Sequence, residues 1–465
     1  MNVSVKFLGA TGTVTGSRFL LDIDNFRMLF DCGMFQGLKE LRLRNWDAFP
    51  VDPATIHAVV ISHAHIDHTG YLPKLVKDGF NGPIYCTEPT ADLMAIMLLD
   101  SAKLQEEEAA FSAKRGYSKH KNPKALYTAK EAQDVFPLIK EFPFDQLVRI
   151  HPTVSIIFRD AGHLLGAAIT ELTIKGEKQQ KKIVFSGDLG RSHDAMMHPP
   201  ATIKNADVLF IESTYGNRDN PAKDPESDLA RIVTDTMRNK GVLLIPAFAV
   251  GRAQELLYYF HKLMNENKIP DVPVYLDSPM AISATYLYYK YQQYHKVKFT
   301  QSEFAQEMDT NMLVFVKTAI HSKSLNELTS NAIIISSSGM MTGGRILHHM
   351  YNRLPRKNDT LLISGYQAAG TRGRKIIEGN PTIRIFGEEI PVKCHIEIMT
   401  SLSGHADREE LFTWMANFET PPEKVFTIHG EGENLVAYGE NIREKLKWKV
   451  IQPAYLEEVS LFKDL

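Results

Sequence analysis

Short apolar runs separated by turn residues dominate residues 1–213. These runs are rich in β-branched and aromatic residues and are bounded by Gly or by Asp-Asn pairs, which predicts strands at VSVKFLGA, SRFLLDI and FRMLFDCG. Residues 56–62 are apolar on both faces, which predicts a buried strand. A long helix is expected at residues 92–115. The pattern therefore predicts a strand-rich first domain with few helices.

A polar, turn-rich stretch, NRDNPAKDPESD at residues 217–228, marks a candidate domain junction. After it, helical and strand patterns alternate, which indicates an α/β domain with a parallel sheet. Strand-like sequence returns near residue 383 and is followed by a helix near Arg408 and the strand KVFTIHG. We therefore predict a first domain at residues 1–213, an inserted domain at 214–382, and a return to the first domain at 383–465.

Composition is that of an ordinary globular protein, with 44% hydrophobic and 23% charged residues. Apolar runs fall short of the roughly 20 residues that span a bilayer, and the N-terminus does not resemble a signal peptide. Three scattered cysteines do not form a disulfide framework. These features predict a cytoplasmic protein without a membrane partner.

The net charge of −2 disfavours a general nucleic-acid binder, but the charge is unevenly distributed. Residues 340–375 contain seven basic residues and one acid, Asp359. In general such a stretch is a solvated surface. Its place in the predicted inserted domain also allows a role in binding substrate phosphates.

Candidate chemistry is concentrated in SHAHIDH, residues 62–68, directly after the apolar run AVVI. A His-x-His pair cannot share one face of a helix, but both imidazoles can converge on one ion where a strand passes into a loop. His63 and His65 could therefore bind one metal, and Asp67 and His68 a second. Two such ions, about 3.5–4 Å apart, require further ligands and a bridging oxygen.

Further ligand candidates stand at the ends of other predicted strands. His163, Asp188 and His429 each have a glycine neighbour, in AGH, SGD and HGE, which lets backbone and metal approach closely. A carboxylate such as Asp188 can bridge two ions, whereas an imidazole cannot. Asp31, in LFDCG, could orient a ligand imidazole through a hydrogen bond.

These motifs resemble a known family. HAHIDH, GHLLGA and SGDLGR resemble the metallo-β-lactamase fold of hydrolases. ESTYG, the inserted α/β domain, SGHAD and IHGE resemble the β-CASP subgroup, which includes the endonuclease of the pre-mRNA cleavage and polyadenylation complex and its bacterial and archaeal relatives. The resemblance implies an α/β fold: a four-layer αββα metallo-β-lactamase fold with an inserted parallel-sheet β-CASP cap domain.

The resemblance also implies the roles of individual residues. His63, His65 and His163 would bind one Zn²⁺, Asp67, His68 and His429 the other, and Asp188 would bridge them. The resemblance gives catalytic roles to His405 in SGHAD and Glu212 in ESTYG, and we add Asp67 and Asp31 as catalytic candidates. Gly404 stands where the family often has alanine. Mn²⁺ could occupy the same site.

The function that the resemblance implies is hydrolysis of phosphodiester bonds in single-stranded RNA. Water activated at two metals would attack phosphorus, and His405 would act as the general acid, leaving 3′-hydroxyl and 5′-phosphate ends. His429 in IHGE resembles the RNA-processing branch of the subgroup. An endonuclease is favoured, while a 5′-exonuclease and a homodimer stay open.

Two glycine-rich stretches of the inserted domain, SSSGMMTGGR and GYQAAGTRGR, are predicted to bind substrate phosphates through backbone NH groups and arginines. The candidates are Ser337, Ser338, Gly339, Arg345, Arg372 and Arg374. The alternatives are a metallo-hydrolase of the same fold acting on DNA or on a small ester, thioester or lactam, and a non-catalytic scaffold. The filled ligand positions speak against the scaffold.

Overall fold

The structure is a computed structural model that describes residues 1–115, 123–220, 224–298 and 312–465. The chain forms two compact units. The first unit comprises Met1–Asp219 and His405–Leu465, and the second comprises Asn220–Gly404. The predicted junction at residues 217–228 includes residues 221–223, which lie outside the described ranges.

Two seven-stranded sheets form the frame of the first unit. In spatial order, the strands of the first sheet are Glu458–Phe462, Val3–Phe7, Phe19–Ile23, Phe26–Phe30, Ala58–Val60, Ile84–Thr87 and Ile139–Phe142. Those of the second sheet are Val450–Ile451, Lys424–Ile428, Val208–Glu212, Gln180–Phe185, Ala168–Lys175, Val154–Asp160 and Val148–His151.

A phenylalanine stack joins the two sheets within one hydrophobic core. Phe30 of the first sheet stacks on Phe185 of the second, with 3.9 Å between ring centroids. Phe210 and Phe426 extend the stack on neighbouring strands, at 4.3 and 4.9 Å. Each ring lies on a strand one to three residues before Asp31, Asp188, Glu212 or His429. The best-packed part of the core therefore supports the strand ends that carry the candidate chemistry.

Helices cover the outer faces of both sheets. Glu88–Arg115 packs against the strands Ile84–Thr87 and Ile139–Phe142 of the first sheet, and Gly432–Leu446 packs against Lys424–Ile428 of the second. The helices of this unit are Lys39–Leu43, Ile66–Thr69, Leu72–Lys77, Glu88–Arg115, Ala129–Gln133, Arg408–Met415 and Gly432–Leu446, with 3₁₀ turns at Pro53–Thr55 and Phe136–Leu138. The predicted four-layer αββα arrangement is confirmed.

The second unit contains a six-stranded sheet in which each assigned strand pair is parallel. The spatial order is Leu313–Phe315, Val274–Asp277, Ala332–Ser336, Val242–Pro246, Thr360–Ile363 and His395–Ile398. Within the described ranges, the helices of this unit are Pro225–Arg238, Arg252–Asn265, Pro279–Lys290, Ala319–Ser324, Arg345–Arg353 and Arg372–Ile377, with 3₁₀ turns at Gln292–Tyr294 and Leu325–Glu327. The inserted parallel-sheet domain is therefore present as predicted.

The end of the inserted domain differs from the prediction, which placed it at residue 382. Strand-like sequence after residue 383 forms the hairpin Thr382–Ile385 and Glu388–Pro391, and then the strand His395–Ile398. That last strand pairs in parallel with Thr360–Ile363 at the edge of the second unit's sheet. The sequence alternation identified these strands correctly but could not show which sheet they join, because an edge strand and a returning strand have the same pattern.

Among the helices of the described ranges, we find none with the length and apolar content that a membrane span requires.

Candidate metal centre

The predicted metal ligands stand just after strands of the first unit. His63 and His65 follow Ala58–Val60, His163 follows Val154–Asp160, Asp188 follows Gln180–Phe185, and His429 follows Lys424–Ile428. Asp67 and His68 lie in the short helix Ile66–Thr69. The structure brings all seven side chains into two groups that meet at Asp188.

The first group consists of His63, His65, His163 and Asp188. His65 Nδ1 lies 3.1 Å from His63 Nε2 and 3.4 Å from His163 Nε2. Asp188 Oδ2 lies 3.5 Å from His63 Nε2 and 3.8 Å from His163 Nε2. Ligand atoms around a tetrahedral zinc ion, with bonds of about 2.0–2.1 Å, are roughly 3.3–3.4 Å apart. These four separations are close to the spacing of ligand atoms around an ion of the size of zinc.

The second group consists of Asp67, His68 and His429. His68 Nε2 lies 3.3 Å from His429 Nε2 and 3.9 Å from Asp67 Oδ2. His429 Nε2 lies 3.5 Å from the same carboxylate oxygen. These separations are again close to the edge of a zinc tetrahedron.

Asp188 presents a different oxygen to each group. Its Oδ2 atom faces the first group, while Oδ1 lies 3.4 Å from His68 Nε2 and 3.6 Å from His429 Nδ1. Within the described ranges Oδ1 is buried and accepts no hydrogen bond of good geometry. A buried carboxylate oxygen in that position is best satisfied by a cation. Asp188 therefore fits the bridging role implied by the sequence.

The protonation of the histidines in the first group also fits metal binding. Burial lowers the pKa of His63 well below its ordinary value and lowers that of His65 to about 4. Both imidazoles are therefore neutral at pH 7, with lone pairs available for a metal.

The second group lies in a strongly negative environment. Burial opposes a charge on His68, but the carboxylates of Asp188, Asp31 and Asp67 outweigh it and raise the pKa of His68 well above its ordinary value. A metal cation at this position would satisfy the same carboxylates. The donor set therefore fits two divalent ions.

Asp31 orients His68. Asp31 Oδ2 lies 2.7 Å from His68 Nδ1 and also accepts hydrogen bonds from the hydroxyls of Ser17 and Ser62, each at 3.0 Å. Asp31 Oδ1 accepts the Ser62 backbone NH at 2.8 Å. These bonds place a proton on Nδ1 and leave Nε2 for a metal. Asp31 is thus a positioning residue that does not itself lie among the ligand atoms.

Thr214 holds His429 in a different way. Its hydroxyl lies 3.0 Å from His429 Nδ1 and donates to the His429 carbonyl at 3.3 Å. His429 has a φ of 53°, in the left-handed region that non-glycine residues rarely adopt. Thr214 and the neighbouring strand therefore hold a strained backbone that turns the imidazole toward Asp67.

His405 and Glu212 form a hydrogen-bonded pair beside the two groups. His405 Nδ1 lies 3.1 Å from Glu212 Oε1, and both residues have ligand-type atoms within 4.8 Å of Asp188. Glu212 is fully buried and also accepts the backbone NH groups of Leu189, at 2.7 Å, and Thr214, at 3.2 Å. These contacts hold the Glu212 carboxylate against His405.

The charge of Glu212 determines the protonation of His405. Burial disfavours the imidazolium, but the Glu212 carboxylate outweighs burial, with help from Asp188 and Asp67, and raises the pKa of His405 to about 9. The His405 side chain is 18% exposed, and its ring packs 4.5 Å from the ring of His163. A protonated, partly accessible imidazole thus stands next to the metal ligands.

Glycines let the ligand loops approach one another. A Cβ on Gly190 would lie 1.9 Å from the Gly162 carbonyl oxygen, beside His163. A Cβ on Gly33 would lie 1.5 Å from the Asp67 carbonyl oxygen. Gly190 therefore lets the loops of Asp188 and His163 pack against each other, and Gly33 does the same for the loops of Asp31 and Asp67.

The predicted phosphate-binding residues lie together in the second unit, but their side chains already have partners there. Arg345 donates to the buried Asp277 carboxylate at 2.7 Å, and Arg372 donates to the carbonyls of Met341 and Thr342. Arg374 donates to the Gln367 carbonyl at 2.8 Å.

The smaller residues of these loops are also engaged. Ser337 donates to Ser278 Oγ, and the hydroxyls of Ser338 and Thr342 lie 3.0 Å apart. A Cβ on Gly339 would lie 2.9 Å from the Phe248 ring. These contacts order the loops, and phosphate binding by them stays a prediction.

Several residues that the structure places at the site were not singled out from the sequence. Ser17, Ser62 and Thr214 position Asp31 or His429, and Leu189 contributes a backbone NH to Glu212. Ser62 and Thr214 belong to motifs that were recognised, SHAHIDH and ESTYG. A neutral hydroxyl has no chemical signature that distinguishes it from an ordinary serine or threonine, so only its contacts show its role.

Fold and site together define a metal-dependent hydrolase on a metallo-β-lactamase frame. Comparison with known domains agrees with this class. Residues 20–212 match the metallo-beta-lactamase superfamily domain, residues 253–376 the Beta-Casp domain, and residues 389–453 the Zn-dependent metallo-hydrolase RNA specificity domain.

Curated relatives are similar over nearly the whole chain. Ribonuclease TTHA0252 of Thermus thermophilus is 34% identical over 435 residues, which cover 93% of this chain and 94% of that protein. The transcription termination factor FttA of Methanosarcina mazei is 32% identical, over 99% of this chain and 72% of that protein. FttA of Methanocaldococcus jannaschii is 30% identical, over 98% and 71%. The chain therefore belongs to the β-CASP family of metallo-β-lactamase-fold nucleases.

A solved structure shares the fold. A protein of unknown function from Enterococcus faecalis V583 superposes with a TM-score of 0.55 at 15% identity, over 99% of this chain and 100% of that chain.

Proposed function

We propose that this protein is a zinc-dependent ribonuclease that hydrolyses phosphodiester bonds in single-stranded RNA and leaves 3′-hydroxyl and 5′-phosphate ends. The observation that carries the proposal is the His405–Glu212 pair beside the Asp188 carboxylate that two ligand groups share. An acid next to a binuclear centre is the arrangement that phosphodiester hydrolysis needs, because the leaving alkoxide is a strong base.

RNA is favoured over DNA or a small ester by the relatives. One is named a ribonuclease, and the domain matched at residues 389–453 is described by RNA specificity. The inserted domain at Asn220–Gly404 also favours a polymer, since a small ester would not require it. We favour endonucleolytic cleavage in the cytoplasm.

The ligand set assigns each ion a place. His63, His65 and His163 would hold one zinc, Asp67, His68 and His429 the other, and Asp188 both. Zinc bound there supplies Lewis-acid charge to the phosphate and lowers the pKa of water. Mn²⁺ could substitute in the same ligand set.

The chain's own acid acts on the leaving group. A water molecule gives up one proton to solvent and its oxygen forms the new bond to phosphorus, while the bond from phosphorus to the ribose 3′ oxygen breaks. His405, protonated through its partner Glu212, donates the Nε2 proton to that oxygen and so yields the 3′-hydroxyl. Glu212 keeps the proton-carrying Nδ1 atom turned away from the substrate.

Substrate phosphates beyond the cleaved one would bind the glycine-rich loops of the second unit, through Ser337, Ser338 and Gly339. Arg345, Arg372 and Arg374 would add positive charge. The backbone carbonyls to which Arg372 and Arg374 donate do not cancel their charge, whereas the Asp277 carboxylate offsets that of Arg345. Arg372 and Arg374 would therefore act more through electrostatic attraction than through bidentate contacts.

The test is cleavage of one 5′-labelled single-stranded RNA and its DNA counterpart by the purified protein, with and without a chelator. We expect internal RNA fragments, which disappear with the chelator and decrease about 10²–10⁴-fold in His405→Ala. Release of mononucleotides alone would indicate an exonuclease. Intact RNA together with cleaved DNA or a cleaved small ester would refute the substrate assignment.

A further inference from the structure

Glu410 joins two segments that the proposed chemistry needs to hold in register. One is the stretch after Asp188, and the other is the stretch that carries His405. Glu410 Oε1 accepts the Ser192 backbone NH at 3.1 Å and the Ser192 hydroxyl at 2.9 Å. Glu410 Oε2 accepts the Asp407 backbone NH at 3.1 Å. The Glu410 side chain is only 16% exposed.

Helix capping explains only half of this arrangement. Asp407 and Glu410 form a capping box at the start of the helix Arg408–Met415, which accounts for the bond from Asp407 NH to Oε2. Capping does not require the Oε1 bonds, which reach 218 residues back along the chain to Ser192. Two donors converge on that oxygen, so it serves a contact between segments.

The same two segments meet at a second point. Ala406 NH donates to the Leu189 carbonyl at 2.8 Å, and Leu189 NH donates to Glu212 at 2.7 Å. The segment that carries His405 is thus hydrogen-bonded to the segment that carries Asp188 at two places. One is the bond from Ala406 to Leu189, and the other is the link from Asp407 through Glu410 to Ser192. Loss of the Glu410 contact would leave the Ala406 contact and the Glu212 bridge between Leu189 NH and His405 to fix the distance between the two segments.

We infer that Glu410 is a positioning residue that sets His405 against Asp188, so that the acid proton reaches the leaving oxygen. This inference rests on the proposed function. Because a misplacement of about 1 Å can reduce a reaction rate about 10²-fold, the contact is expected to affect the chemical step more than substrate binding.

Glu410→Gln separates the two roles of the carboxylate. Glutamine can still accept the Asp407 NH and complete the capping box. Its NH₂ group would then face the Ser192 backbone NH, which cannot accept, so that hydrogen bond is lost. The Ser192 hydroxyl can turn to accept from the NH₂ group, so the contact between the segments is weakened to one bond. Glu409→Gln is the matched control. Glu409 is adjacent on the same helix and bears the same charge, but it pairs with the exposed Lys445 and Arg408.

The readout is leaving-group dependence. Each variant is assayed on an RNA and on the same RNA with sulfur in place of the 3′ bridging oxygen at the position that the wild-type protein cuts. A thiolate leaves without a proton, so a displaced acid harms only the oxygen substrate. We expect Glu410→Gln to lower kcat on the oxygen RNA about tenfold or more. KM, zinc content and the rate on the sulfur RNA should stay near wild type.

Equal rates for Glu410→Gln and Glu409→Gln would overturn the inference, as would an equal loss on both substrates, which would indicate a structural or metal-binding role. His405→Ala distinguishes this failure from failure of the proposed function. If His405→Ala is selectively impaired on the oxygen RNA and Glu410→Gln is not, only the role of Glu410 is wrong. If His405→Ala shows no such selectivity, the acid role is wrong and this inference falls with it.

Discussion

At the scale of single residues, the site depends on buried carboxylates that each hold one imidazole. Asp31 lies 2.7 Å from His68 and Glu212 lies 3.1 Å from His405, and each carboxylate also accepts at least one backbone NH. In one pair the imidazole is a proposed metal ligand, and in the other it is the proposed acid. The same contact therefore serves two chemistries, and the surroundings of each ring decide which one.

Asp31→Asn should weaken the binding of one metal ion. An amide offers one acceptor oxygen where Asp31 uses two, and it cannot match the charge that favours a proton on His68 Nδ1. We expect affinity for the second ion to fall about 10–100-fold, while binding to the group of His63 is retained. Metal content after competition with a chromophoric chelator measures this. Asp24→Asn, at an exposed turn, is the control, and loss of both ions would contradict the assignment.

Glu212→Gln should shift the pH dependence of cleavage. The carboxylate raises the pKa of His405 to about 9, so the protonated acid persists at neutral pH and is lost as pH rises through that value. Without the negative charge the pKa falls, and activity should decline at lower pH than in the wild-type protein. The pH profile of kcat/KM reports this limb. An unchanged alkaline limb with a lowered plateau would show that another group titrates there.

At the scale of secondary-structure elements, the site is built where strands end and loops cross. Gly190 lies after the strand Gln180–Phe185, and its Cα approaches the loop of His163 so closely that a methyl group would overlap the Gly162 carbonyl oxygen. The strands themselves are fixed by the phenylalanine stack beneath. The spacing between these loops is therefore set by the packing of the strands beneath them and by the absence of a side chain at Gly190.

Gly190→Ala should separate the loops of His163 and Asp188. The added Cβ would lie 1.9 Å from a backbone oxygen, which cannot move without its loop. We expect a loss of stability of about 1–3 kcal/mol together with reduced zinc content. Gly343→Ala, where the added Cβ meets no atom within 4 Å, is the control. Thermal unfolding measures the loss of stability, and metal analysis measures the zinc content. A normal zinc content in Gly190→Ala would contradict the expected separation of the loops.

Most of these strands, helices and candidate ligands could be predicted from the sequence. The predictions that failed have a common cause. The candidate ligands could be identified from their residue types and from their positions at strand ends, because the pattern His-x-His-x-Asp-His has few other uses. Which sheet His395–Ile398 joins could not be predicted, since strand pairing is decided by tertiary structure.

The arginines of residues 340–375 show the same limit. Arg353 is buried against Asp359, and Arg356 donates to the carbonyls of Leu328 and Asn326. From the sequence alone, both arginines are predicted to belong to a basic surface. A charge count does not reveal such internal acceptors.

At the scale of the whole molecule, the two units have separate hydrophobic cores. The metal ligands and the His405–Glu212 pair belong to the first unit alone. Any stabilisation by metal should therefore reside in that unit, because a ligand stabilises the structure that binds it.

Metal removal should loosen one unit selectively. Zinc at a hundredfold excess over Kd stabilises each site by about 2.7 kcal/mol. Hydrogen exchange with and without a chelator should show faster exchange around residues 62–69 and 186–190, with little change in the strand Val242–Pro246. His63→Ala, which lacks a ligand, should respond less to the chelator. Equal loosening of both units would contradict a metal site confined to the first.

Anomalous X-ray diffraction from zinc-loaded crystals would show whether two metal ions share Asp188 beside His405. We expect two zinc peaks about 3.5–4 Å apart. One should lie among His63, His65 and His163, the other among Asp67, His68 and His429, with one Asp188 oxygen at each. A single peak, or a second peak held by other residues, would contradict the account.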